Sequence, residues 1–134
     1  CLTNADKYSL RVANIMNLYT DRNHFLLMDR IEILQEMIEE KPNDPFNFYA
    51  LAIEFTKLEK HDQALEKFQF LTSQFPEYVA TYYHYAQTLE KVNQQQKALE
   101  IYSLGMKVAQ DSGDQHALSE LKNAKLNLEI DMDL

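Results

Sequence analysis

The chain has 134 residues, 46% of them hydrophobic and 25% charged, enough for one domain with a buried core. Thirteen Lys and Arg against 21 Asp and Glu give a formal charge of −8, and the basic residues are scattered, so no patch is built for a phosphate backbone and nucleic acid is excluded as a partner. Two Gly and three Pro favour helices with short turns over a sandwich or barrel, the lone cysteine Cys1 allows no internal disulfide, and no apolar run approaches the ~20 residues that cross a bilayer.

In chain order, Thr3 and Asp6 have the S/T-x-x-D/E spacing of a helix start. Tyr8, Val12, Ile15, Met16 and Tyr19 then form one apolar stripe, predicting a first helix to about Thr20, and Asp21-Arg22-Asn23-His24 reads as a turn. A second helix is predicted from about Leu26 to Glu40, with Leu27, Ile31, Leu34 and Ile38 on its inner face. Pro42 cannot extend its hydrogen-bond ladder. Asp44 before Pro45 pairs a capping carboxylate with a proline at the first helical position, so a third helix should span about Pro45 to Leu58. The fourth is read from about His61 to Gln74, with Asp62 as its cap. The fifth is read over about Tyr78 to Val92 and the sixth over about Gln95 to Gln110. Gly105 falls inside the sixth helix, where it costs about 1 kcal/mol relative to Ala; that cost is tolerable where another helix passes very close. Gly113 and Asp114 read as a stop and a restart, opening a last helix to about Leu128 with a polar face at Glu120, Lys122, Asn123 and Asn127. Residues 130–134 read as a frayed tail.

The segments repeat at an offset of 34 residues. Phe48-Tyr49-Ala50-Leu51-Ala52 aligns with Tyr82-Tyr83-His84-Tyr85-Ala86, Gln63-Ala64-Leu65-Glu66-Lys67-Phe68 with Lys97-Ala98-Leu99-Glu100-Ile101-Tyr102, and Pro42 with Pro76. The pattern resembles the tetratricopeptide repeat, a pair of antiparallel helices A and B. Counted from Pro45, Phe48, Leu51, Ala52, Phe55, Ala64, Phe68, Leu71 and Pro76 stand at its signature positions 4, 7, 8, 11, 20, 24, 27 and 32. Counted from Val79, Tyr82, Tyr85, Ala86, Leu89, Ala98, Tyr102 and Gly105 take the first seven places, while Gln110 replaces the proline and lets the sixth helix run on. Leu71 is larger than the family's alanine. Leu26 to Asp44 resembles the B helix of a preceding repeat, whereas Asn14, Asn17 and Asp21 break the pattern before it.

The resemblance implies an all-α, right-handed helical-hairpin solenoid of about seven helices forming a single domain. Residues 1–44 hold an atypical helix and a B-type helix, 45–78 and 79–112 two full repeats, and 113–129 a capping helix. It also implies a concave groove lined by positions 2, 5, 9, 12 and 13 of the A helices: Phe46, Tyr49, Ile53, Thr56 and Lys57, then Ala80, Tyr83, Gln87, Glu90 and Lys91. Exposed tyrosines at helical spacing suit the capture of a peptide or protein segment. The chaperone-tail subtype grips a carboxylate with Lys, Asn and Arg; here Tyr49, Ile53, His84, Asp114 and Leu118 stand at those places, so that ligand is rejected.

No catalytic, cofactor or metal site is expected. His24, His61, His84 and His116 are widely spaced, no Cys-x-x-Cys or glycine-rich phosphate loop occurs, and Glu36, Glu39 and Glu40 read as a solvated face. His84 and His116 as a metal pair is the weaker alternative to polar imidazoles. The expected role is an interaction module acting by groove recognition, and the alternative is an oligomerisation or scaffold element whose groove binds its own copies. No basic stretch followed by an apolar run opens the sequence, so a cytoplasmic protein is expected. A lipoprotein anchored through a lipidated Cys1 is the minor reading.

Overall fold

The computed structural model describes Thr3 and residues 22–134, with side chains from Asp29 onward. The helix expected over about Thr3 to Thr20 lies outside the described residues. Among these residues the chain forms six helices and no strand: α1 (Arg22–Glu40), α2 (Pro45–Lys57), α3 (His61–Gln74), α4 (Ala80–Lys91), α5 (Gln95–Ser112) and α6 (Gln115–Asp131). Each packs on the next, and α2 also touches α4, as α4 touches α6. That pattern makes α2, α4 and α6 the A-type row of a helical-hairpin solenoid and α1, α3 and α5 the B-type row. No described helix is long and apolar enough to cross a membrane.

The boundaries follow local chemistry. Asp44 Oδ1 accepts the Phe46 amide at 3.0 Å with Pro45 at the helix start. Asp114 Oδ1 accepts the Ala117 amide at 3.0 Å, one residue after Gly113 closes α5 at φ 75°. The A-to-B turns repeat as faithfully as the helices. Glu59 (φ 58°) and Asn93 (φ 62°), 34 residues apart, are both left-handed. The amides that follow, of Lys60 and Gln94, donate to Phe55 and Leu89 carbonyls, both at 2.9 Å.

Four boundaries differ from the sequence reading. Arg22, Asn23 and His24 belong to α1 instead of a turn; they are polar, but none is a helix breaker. Asp62 is not the cap of α3. Lys60 occupies that place without a side-chain bond, and Asp62 sits in the first turn, where its charge favours the helix dipole. α5 runs to Ser112, as the missing proline at Gln110 allows. α6 extends through Asp131, so the first two residues of the expected tail, Ile130 and Asp131, are helical: Lys125 and Glu129 pair at 3.5 Å across the last turns, and Met132 beyond the helix still packs on the core.

The small signature positions Ala52, Ala64, Ala86 and Ala98 are all fully buried, which lets A and B helices approach. Around them Leu51, Phe55, Phe68, Leu71, Tyr85, Leu89 and Tyr102 fill the core, each worth roughly 1.5–3 kcal/mol of burial. Phe68 stacks on Tyr85 at 5.8 Å and joins the two repeats. The Tyr82 hydroxyl donates to the Pro76 carbonyl at 2.5 Å and pins the turn between them. In the first repeat Phe48, the counterpart of Tyr82, is only half-buried and packs on Phe70 and Phe75 at 4.7 and 6.3 Å.

A second set of buried positions is polar and also repeats at 34: Asn47 with Thr81, and Glu54 with Thr88. Glu54 Oε1 meets Arg30 of α1 at 2.9 Å and Lys57 at 3.3 Å. This edge of each A helix therefore faces the preceding B helix, and the ion pair fixes α1 where a B helix belongs.

Candidate functional site

The opposite edges of α2 and α4 carry a chain of rings. Tyr49 on α2 lies 5.8 Å from Tyr78, which precedes α4, and 5.6 Å from His84 on α4. Tyr83 meets His84 edge-on at 5.3 Å and Tyr102 of α5 at 6.4 Å. The rail thus runs Tyr78, Tyr49, His84, Tyr83, Tyr102 from the first repeat into the second. Edge-to-face geometry of this kind holds aromatic rings rigidly. Gln87 Nε2 donates to the Tyr83 hydroxyl at 3.0 Å and fixes its end.

Beyond Tyr83 a cleft of about 330 Å³ opens between α4 and α6. Tyr83, Gln87 and Glu90 form one wall, Glu120, Asn123, Asn127 and Asp131 the other, and Tyr102 lies among the residues that line it. Burial, then the nearby Asp131, pushes the Glu90 carboxyl above its ordinary range, while a hydrogen bond from Tyr102 opposes the shift. Burial, then Glu90 and Tyr83, pushes the Tyr102 hydroxyl up. Tyr49 and Tyr78 are likewise raised, by burial first. Burial lowers His84, with Lys91 adding to the effect and Glu120 opposing it, so the imidazole in the rail is neutral at physiological pH.

The structure distributes the expected groove residues unevenly. Tyr83, Gln87 and Glu90 converge in the cleft, and Tyr49 joins them through the rail. Ile53 is half-buried and packs against the core. Phe46, 55% exposed at the second position of α2, takes no part in the ring contacts of the rail. Lys57 turns its ammonium to Glu54 at the α1–α2 seam. Lys91 is exposed beside His84. Sequence reasoning left out Tyr78, Tyr102, Asp131 and the α6 wall. Part of the signal was present: Glu120, Asn123 and Asn127 stand at helical spacing in the polar face of the last helix, whereas Asp131, one step further, falls in the expected tail. Among the described residues, no three His, Cys, Asp or Glu side chains gather closely enough to hold a metal ion.

Comparison with known proteins places this geometry. No protein-family model and no curated protein matches the chain. Among solved structures, a tetratricopeptide repeat domain protein from Salinibacter ruber is 42% identical in its solution structure, with a TM-score of 0.64 over 66% of this chain and 90% of that one. A crystal structure of a tetratricopeptide repeat domain protein from the same organism is 41% identical, with a TM-score of 0.62 over 65% and 97%. The chain belongs to the tetratricopeptide repeat family. PcrH, solved in complex with the chaperone binding region of PopD, shares the fold over 97% of this chain and 96% of its own at a TM-score of 0.73 and 14% identity.

Proposed function

We propose that this protein is an interaction module that binds a peptide segment of a partner protein along the groove of α2, α4 and α6, without chemistry of its own. The ring chain from Tyr78 to Tyr102 carries the reading. Tyr78, Tyr49, His84 and Tyr83 are half-buried, with Tyr102 behind them in the core. Half-buried rings already held by neighbours lose little freedom when a ligand covers them, which is why such residues dominate binding energy at interfaces. PcrH supports the reading as a fold of this shape that accommodates a segment of another protein.

The test is affinity capture of partners on the full chain and on a Tyr49→Ala/Tyr83→Ala variant, with helicity followed by circular dichroism. The reading expects recovery to vanish while helicity survives. A milder variant, Asn123→Ala/Asn127→Ala, alters exposed positions only and should weaken recovery without touching the core. Equal recovery with both variants would sink the proposal.

A further inference from the structure

The two repeats make an internal comparison of the groove possible. Positions 5, 9 and 12 are Tyr49, Ile53 and Thr56 on α2 but Tyr83, Gln87 and Glu90 on α4. The tyrosine is kept, while the aliphatic and hydroxyl positions become an amide and a carboxylate. The facing helix α6 then adds Glu120 and Asp131 to the same cleft, and no Lys, Arg or His lines it. The groove therefore changes along its length from aromatic and aliphatic to acidic.

From this charge pattern we infer that the groove's occupant is a basic peptide segment, laying an apolar side chain on the rail at Tyr49 and a Lys or Arg in the cleft between α4 and α6. The inference rests on the peptide-binding reading above and specifies its partner. An anionic segment would meet three carboxylates there with no cation in the lining to offset them. Among the described residues no three acids, histidines or cysteines gather as a metal site would need. A long organic cation fits instead: its charge reaches several carboxylates in turn while its methylenes lie along ring faces, and the Tyr83 face adds a cation–π contact. Tyr102 lines the same cleft as Glu90, so an aromatic surface lies beside that carboxylate. Glu120 also lies 3.1 Å from His116 on the exposed surface, so Glu90 and Asp131 are the carboxylates chosen for the test.

The test is selection from a displayed library of random dodecapeptides on the full chain, on Glu90→Gln/Asp131→Asn and on Tyr49→Ala/Tyr83→Ala. The expected result is a fixed Lys or Arg position among wild-type binders, lost on the charge variant. A selected peptide resynthesised with citrulline for Arg, which keeps the shape and removes the charge, should bind at least tenfold more weakly. Enriched peptides with no basic position, or an unchanged preference on the charge variant, overturn the inference and leave groove binding standing. Selection that is empty, or indifferent to the tyrosine variant, overturns both.

Discussion

Tyr82 and Gly105 meet where α4 crosses α5 with no room for a side chain between them. A methyl group built on Gly105 would stand 2.5 Å from Tyr82 Cβ, 3.0 Å from its Cγ and 3.2 Å from Leu121 Cδ1. The Tyr82 side cannot retreat, because its hydroxyl is tied to the Pro76 carbonyl. Three helices thus converge on one glycine, and α6 is seated through it.

Gly105→Ala should therefore destabilise the fold. Alanine gains about 1 kcal/mol of helix propensity, but overpacking typically costs 1–3 kcal/mol and more where backbones must part. Urea unfolding should show a net loss of up to about 2 kcal/mol, and more if the backbones part; a gain would mean the crossing is looser than described.

Tyr82→Phe should cost about 0.5–1.5 kcal/mol, the net worth of a hydrogen bond, with no change of fold. It isolates the tie to Pro76 and leaves the ring's packing intact.

Glu59→Gly should stabilise the chain. Glu59 sits at φ 58°, where a side chain costs roughly 1–2 kcal/mol that glycine does not bear. Part of that gain is returned as extra freedom of the unfolded chain, leaving about 0.5–1 kcal/mol in a thermal or urea midpoint. A loss would show that Glu59 has a role beyond closing the turn.

The Arg30–Glu54 pair should couple α1 to the repeats. Arg30→Ala leaves the buried Glu54 carboxylate with Lys57 alone, at a cost of about 1–3 kcal/mol. A double-mutant cycle with Glu54→Gln should show non-additivity, since the second change removes the charge that the first leaves under-paired.

Stability should also depend on pH through Glu90. Its folded carboxyl titrates above the ordinary 4.5, so the folded chain binds that proton more tightly than the unfolded one. The contribution is present below the unfolded value and lost as pH rises through the folded one. Glu90→Gln should flatten this fall, so the wild-type minus variant difference moves against wild type with rising pH. A difference that moves in its favour would contradict the burial of Glu90.

The fold was legible because the 34-residue echo fixes which residues are small and which are large. Ala52, Ala64, Ala86, Ala98 and Gly105 lie where that pattern places close approaches. The buried polar edge was not legible: Glu54 and Thr88 look like ordinary surface residues until the preceding B helix is packed against them. The C-terminal boundary was missed because α6 is weakly amphipathic, and its last turns are held by Leu128 and Met132 against the core. Of the groove, the tyrosines were legible from their spacing. The acidic wall on α6 was not, since its carboxylates gain meaning only when set across from Glu90.

Residue-resolved NMR of the labelled full chain, titrated with a peptide selected on it, tests groove recognition most directly. The account predicts amide shifts concentrated on Tyr49, Tyr83, Gln87, Asn127 and their neighbours along α2, α4 and α6. Shifts centred on α3 and α5, around Leu65, Lys97 and Leu104, would contradict it.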